Sequence, residues 1–131
     1  MFERRSVLVG VAAALLVSRK GLAMEDMDPE NTYALIGQIM SVAGKREELI
    51  GYLGEGARDM PGNLYYEIWR DRNDENSVWI TEVWRDAASH KASLGLPQVQ
   101  EAIRKARPII AGFGARAEVE PAGAEPAGVK S

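Results

Sequence analysis

Histidine is the residue type that takes up and returns a proton near neutral pH, and this chain has a single one, His90. It follows Trp84 by six residues, in Trp84-Arg85-Asp86-Ala87-Ala88-Ser89-His90. That places it near the start of a helix that follows a strand, with its ring toward the sheet or, equally, on the surface. Trp84 either lines an aromatic pocket or is a core indole whose N–H is bonded locally. The Tyr66 hydroxyl either binds a substrate oxygen or belongs to cross-strand packing. Asn63 either orients a polar substrate group or bonds its own turn. Glu67 and Glu82 either divide acid and base roles between two carboxylates or pair with Arg58, Arg70, Arg85 and Arg116. The candidate set is therefore His90 and Trp84 as catalytic residues, with Tyr66, Asn63 and Glu82 as substrate-binding ones.

Other chemistries lack their residues. With no cysteine, the chain has no disulfide, no thiolate metal site and no thiol nucleophile. It shows no Gly-rich phosphate loop, nucleophile elbow or metal-ligand spacing, so neither a metal nor a cofactor is expected. Residues 1–23 hold four basic side chains and one acidic; taking these from the totals of 16 and 19 leaves 12 basic and 18 acidic residues, a net charge of −6. The remaining Lys and Arg are scattered, and a domain of this sign repels phosphate backbones, which argues against nucleic acid as a partner.

A sequence of 131 residues, 46% hydrophobic and 27% charged, has room for one core. From Thr32 to Val42 the chain is rich in β-formers and apolar on both alternating faces, as in a strand covered on two sides. Leu49, Leu53, Ala57 and Met60 then recur at helical spacing over 45–60, although Gly51, Gly54 and Gly56 weaken the second half. Pro61-Gly62-Asn63 is a turn. Leu64–Asp71 and Ser77–Trp84 read as an antiparallel hairpin closed by a polar loop. Asp86 caps a short helix through Leu94, Leu96-Pro97 starts another with Val99, Ile103 and Ala106 on one face, and Gly112–Val119 is a last strand. The order predicts an α+β, ferredoxin-like fold, a four-stranded antiparallel sheet with helices on one face. The other face carries too much Tyr, Trp, Val and Ile for water, so a second copy is expected to cover it, giving a homodimeric α/β barrel.

Residues 1–23 have the layout of a signal peptide: a basic start, an apolar run over 6–17, and Gly21-Leu22-Ala23. Arg4-Arg5 ahead of that run resembles a twin-arginine export signal. Twelve apolar residues rise only ~18 Å as a helix, against a ~30 Å hydrocarbon core, so no stable membrane span is expected. Export to the periplasm is the expectation, or a cytoplasmic protein if translation starts at Met24. Residues 24–31 read as a linker, 32–120 as the domain and 121–131 as a disordered tail.

Three fragments carry a family resemblance: Met60-Pro61-Gly62-Asn63-Leu64-Tyr65-Tyr66-Glu67, Ile80-Thr81-Glu82-Val83-Trp84, and His90-Lys91-Ala92-Ser93-Leu94 with Leu96-Pro97 following. In order and spacing over residues 32 to 119 they resemble the antibiotic biosynthesis monooxygenase domains, in the branch of quinol monooxygenases. The resemblance implies oxidation of a quinol or hydroxylated aromatic by O2 without metal or flavin, in a dry aromatic slot with a proton acceptor. The same fold also hosts isomerases, haem-degrading enzymes and proteins with no known reaction, so a non-catalytic module binding small aromatics stays open. Two departures matter. Many members place their histidine about three residues later, where this chain has Ser93. Haem-degrading members resemble one another in an Asn on the first strand, at the position of Gly37 here.

Overall fold

A computed structural model of the chain describes residue 28 and residues 30–123. The proposed signal segment, most of the linker and residues 124–131 lie outside the described residues. Where the domain begins, the Asp28 carbonyl accepts from the N–H groups of Asn31 and Thr32, and the Asp28 N–H donates to Thr32 Oγ1.

Strand β1 (Tyr33–Ser41) is followed by helix α1 (Arg46–Gly56), the hairpin of β2 (Asn63–Arg70) and β3 (Ser77–Trp84), helix α2 (Ala87–Ser93) and helix α3 (Pro97–Ala106). A single turn of tighter helix at Arg107–Ile109 leads into β4 (Ile110–Val119). The strands form one antiparallel sheet in the order β2-β3-β1-β4, the ferredoxin-like arrangement that the sequence predicts.

Side chains alternate across a strand, so the register sorts the sheet into two faces. Tyr33, Leu35, Gly37 and Ile39 lie opposite Trp84, Glu82, Ile80 and Val78, and Tyr66 and Ile68 continue that face on β2. This is the helix side. Its core joins Val78 and Ile80 to Leu49 of α1 and Ala106 of α3, with Ile39, Leu53, Ile68 and Ile110 packed around them. Leu49 and Val78 are wholly buried, and each such side chain stabilises the fold by about 1.5–3 kcal/mol.

The other face holds Ala34, Ile36, Gln38 and Met40 opposite Val83, Thr81, Trp79 and Ser77, with Tyr65, Glu67 and Trp69 beyond them on β2 and Ala117 and Val119 on β4. Ile36, Trp69 and Val119 are exposed here. Even the indoles settle their polar atoms within the sheet and its loop: Trp69 Nε1 donates to Thr81 Oγ1 and Trp79 Nε1 to Asp71 Oδ2, both at 2.9 Å.

Helix α1 stops at Gly56, short of the expected Met60. The N–H of Ala57, the C-cap, closes the helix on the Leu53 and Gly54 carbonyls; the chain then turns through Asp59 at φ +52, and Met60 is still buried after the turn. Gly56 has a packing reason beyond propensity: a Cβ there would come within 2.7 Å of Ala102 Cβ. Glycine is what allows α1 to cross α3 this closely.

Two devices set the entry to α2. Asp86 caps the helix, its carboxylate accepting from the Ser89 N–H at 2.7 Å; the Ser89 side chain and, after it, this backbone bond hold the carboxyl below the usual range. Met60-Pro61-Gly62-Asn63 is a turn closed by Asn63 N–H to Met60 carbonyl at 3.1 Å, with Gly62 at φ +84, as a type II turn with proline second requires. The Gly62 carbonyl accepts from the Arg85 N–H at 2.8 Å, and a Cβ on Gly62 would collide with Ser89, one residue before His90. Gly62→Ala is expected to cost about 1–3 kcal/mol from strained φ and overpacking, read by urea denaturation. Because the collision falls on α2, the His90 ring resonances should shift by NMR; unchanged stability and shifts would contradict this coupling.

Candidate functional site

Between the helices and the sheet lies a cavity of about 680 Å³. Its floor is the helix side of the sheet, where Ile39, Ile80 and Ile110 are apolar and Tyr66, Glu82 and Trp84 bring the polar atoms. Small residues of α1, of its cap and of α3, among them Gly56, Ala57, Ala102 and Ala106, form part of its roof. His90, Ser93 and Leu94 close it from α2.

Four of the five residues expected at a site meet here. Trp84 and Glu82 are two apart on β3, so both project to the helix side, and the indole Nε1 donates to Glu82 Oε1 at 2.9 Å. His90 Nε2 stands 4.0 Å from the same oxygen. The imidazole is held edge-on against Trp84, with ring centroids 5.4 Å apart and planes at 73°, and lies 5.2 Å from the Tyr33 ring. It is thus packed between two aromatics and not on the surface. Both side chains of the pair are about four-fifths buried, at 18% and 19% exposure.

Tyr66 sits directly across the ladder from Glu82. Burial, and after it the Glu82 charge, push its phenol well above the usual tyrosine range. It therefore stays a neutral hydroxyl, able to donate. Among the described residues that hydroxyl makes no hydrogen bond within the protein, and its residue lines the cavity.

Asn63 is not at this site. Its amide donates to the carbonyls of Tyr65 at 3.1 Å and Val83 at 3.3 Å, bracing the register shift between Asn63 and Tyr65. The expected binding role is corrected to a structural one, since the amide N–H groups are spent on backbone. The pairing of Glu67 with Glu82 also fails, because adjacent registers put them on opposite faces: Glu67 opposes Thr81 and Glu82 opposes Tyr66. Nor does Glu82 pair with an arginine; Arg70 binds Glu47 and Arg116 lies near Glu118.

Ser93, where many relatives carry histidine, also lines the cavity, one helical turn beyond His90, and its hydroxyl donates to the His90 carbonyl at 2.6 Å. Tyr33 was not legible as a site residue. Its position beside His90 follows only from its register opposite Trp84, and its hydroxyl is engaged elsewhere, donating to Glu118 at 2.6 Å. Among the described residues no three of His, Cys, Asp and Glu converge to hold a metal ion, and no helix is long and apolar enough to cross a membrane.

Comparison with known proteins agrees with this architecture. The family model described as antibiotic biosynthesis monooxygenase matches residues 32–105. A candidate antibiotic biosynthesis monooxygenase from Chloroflexus aurantiacus J-10-fl is 46% identical, with 72% of this chain and 97% of that one covered, at a TM-score of 0.69. SnoaB of Streptomyces nogalater, a cofactor-independent oxygenase, has the same fold at 17% identity, with 73% and 98% covered and a TM-score of 0.62. The protein sll1783 of Synechocystis sp. is 28% identical over 109 residues, covering 81% of this chain and 74% of its own length. By the extent of the family match and the identity to the Chloroflexus protein, this chain belongs to the antibiotic biosynthesis monooxygenase family.

Proposed function

We propose that the protein is a cofactor-independent monooxygenase that oxidises a quinol or other hydroxylated aromatic with O2, working as a homodimer. One observation carries the reading: a cavity lined mostly by apolar residues concentrates a carboxylate, an imidazole and a phenol with no protein hydrogen bond at Glu82, His90 and Tyr66.

A hydroxy-aromatic gives up an electron to O2 far more readily once it is deprotonated. His90 takes the proton, and the Glu82 carboxylate beside it stabilises the imidazolium formed. Tyr66 donates to the second oxygen of the ring, where negative charge accumulates. Trp84 fixes Glu82 through its N–H and supplies an apolar wall that keeps water from the radical pair. For a hydroquinone the ring loses four electrons in all: one atom of O2 enters it, and the other leaves as water with the two protons the substrate gives up, one of them returned by His90. The product is a hydroxyquinone.

Oxygen uptake with a panel of hydroquinones should therefore be catalysed. With labelled O2, one heavy atom should appear in the quinone. His90→Ala is expected to lower kcat by about 10²-fold or more, with Trp84→Phe and Glu82→Gln also impaired. Uptake indifferent to all three would refute the assignment. Binding without any uptake would favour a non-catalytic aromatic-binding module.

The dimer reading rests on the sheet face that carries Ile36, Trp69 and Val119. Scattering at micromolar concentration should give twice the protomer mass, and Ile36→Glu, which buries a carboxylate at the seam, should give one. A monomeric wild type would remove this part.

Export is proposed from Arg4-Arg5 and the apolar run over 6–17. Protein recovered from the periplasmic fraction of its native cell should begin after Ala23; protein found in the cytoplasm alone would exclude export, because a translation start at Met24 gives the same N-terminus.

A further inference from the structure

The described residues expose seven large hydrophobic side chains. Three of them, Ile36, Trp69 and Val119, lie on the sheet face already assigned to a second copy. Three others, Leu94, Ile103 and Phe113, have no place on that face; they come from the end of α2, from α3 and from β4, and all three line the cavity. Only Val42 stands apart. Phe113 is the most exposed of all, at 72%.

Of these three, Phe113 lies far from Glu82, whereas Leu94 is one helical turn beyond His90. Glu82 opposes Leu35 on β1, whereas Phe113 opposes Ile39, and β1 separates β3 from β4. Two strand spacings across and four residues along put the two residues on the order of 15 Å apart. The cavity therefore extends from this chemistry, past Leu94, to an apolar mouth at the exposed Phe113. Its volume, about 680 Å³, lies within the range of about 300–1,000 Å³ for sites that enclose drug-sized ligands. A bare one- or two-ring quinol would fill the inner end and leave the mouth wet.

We infer that the substrate is amphipathic: its hydroxylated ring lies against Glu82, His90 and Tyr66, and an aliphatic substituent on that ring runs out along Leu94, Ile103 and Phe113. This rests on the reading of the cavity as an aromatic site. The wall supports it, because along this path the described residues bring a single cation, Arg107, and otherwise side chains suited to hydrocarbon.

The test separates binding from turnover. Full-length protein, held anaerobic, is titrated with resorcinol and with 5-alkylresorcinols of one to five carbons, followed by tryptophan fluorescence. Each methylene buried should tighten binding about three- to fourfold, so pentylresorcinol, with three or more of its carbons buried, should bind at least about thirtyfold more tightly than resorcinol. In Leu94→Ser/Phe113→Ser the ratio between the two ligands should fall to about fivefold or less. The series on the unmodified protein decides the matter even if that variant does not fold. Equal affinity along the series overturns the tail and leaves the ring site standing, as it would if a second protomer covered the mouth. Failure of every member to bind overturns the ring site and the tail with it.

Discussion

The period of two along β3 is the constraint on which the rest of the molecule depends. Val78, Ile80, Glu82 and Trp84 all point toward the helices, while Trp79, Thr81 and Val83 point away. The first two seal the core against Leu49 and Ala106. The next two, on the same face but farther along, enter the cavity. A slip of one residue would send Trp84 and Glu82 to the opposite face and strand His90 without its carboxylate. The site is thus specified by the same hydrophobic pairing that stabilises the sheet, and the second apolar face is the cost of alternating large residues on both sides of one strand.

That coupling explains how much could be read from sequence. Strand order, the one-sided helix layer and the unsatisfied outer face all follow from local pattern: alternation on β1 and β3, the Pro61-Gly62 turn, the Asp86 cap. Each is a short-range signal that the tertiary structure does not override. His90, Trp84, Tyr66 and Glu82 were legible for a related reason, since each is fixed by its count from a turn or cap.

What the sequence hid depended on register. Asn63 sits beside the turn and has the chemistry of a binding residue, yet a local shift between β2 and β3 spends its amide on two carbonyls. Glu67 and Glu82 lie on neighbouring strands, and only the pairing itself reveals that they occupy opposite faces. Tyr33 could have been found beside His90 by laying β1 antiparallel against β3 from Trp84 backward. The end of α1 escaped too, because glycine propensity predicts weakness there but not the cap at Ala57 that closes it.

The cavity itself is a consequence of small residues placed where large ones would be cheaper. Gly56 and Ala102 touch closely enough to bring α1 and α3 together, so the helix layer is tight at that crossing. Beneath it the roof offers Ala57 and Ala106 toward the floor of the sheet, and such short side chains cannot reach across to fill the gap. Filling that space with Leu or Phe would gain about 25 cal/mol for each Å² of apolar surface removed from water. A fold selected for stability alone would take that gain. Here the volume is left open beside the imidazole of His90 and the phenol of Tyr66, which is the arrangement expected where a ligand, and not the protein, completes the packing.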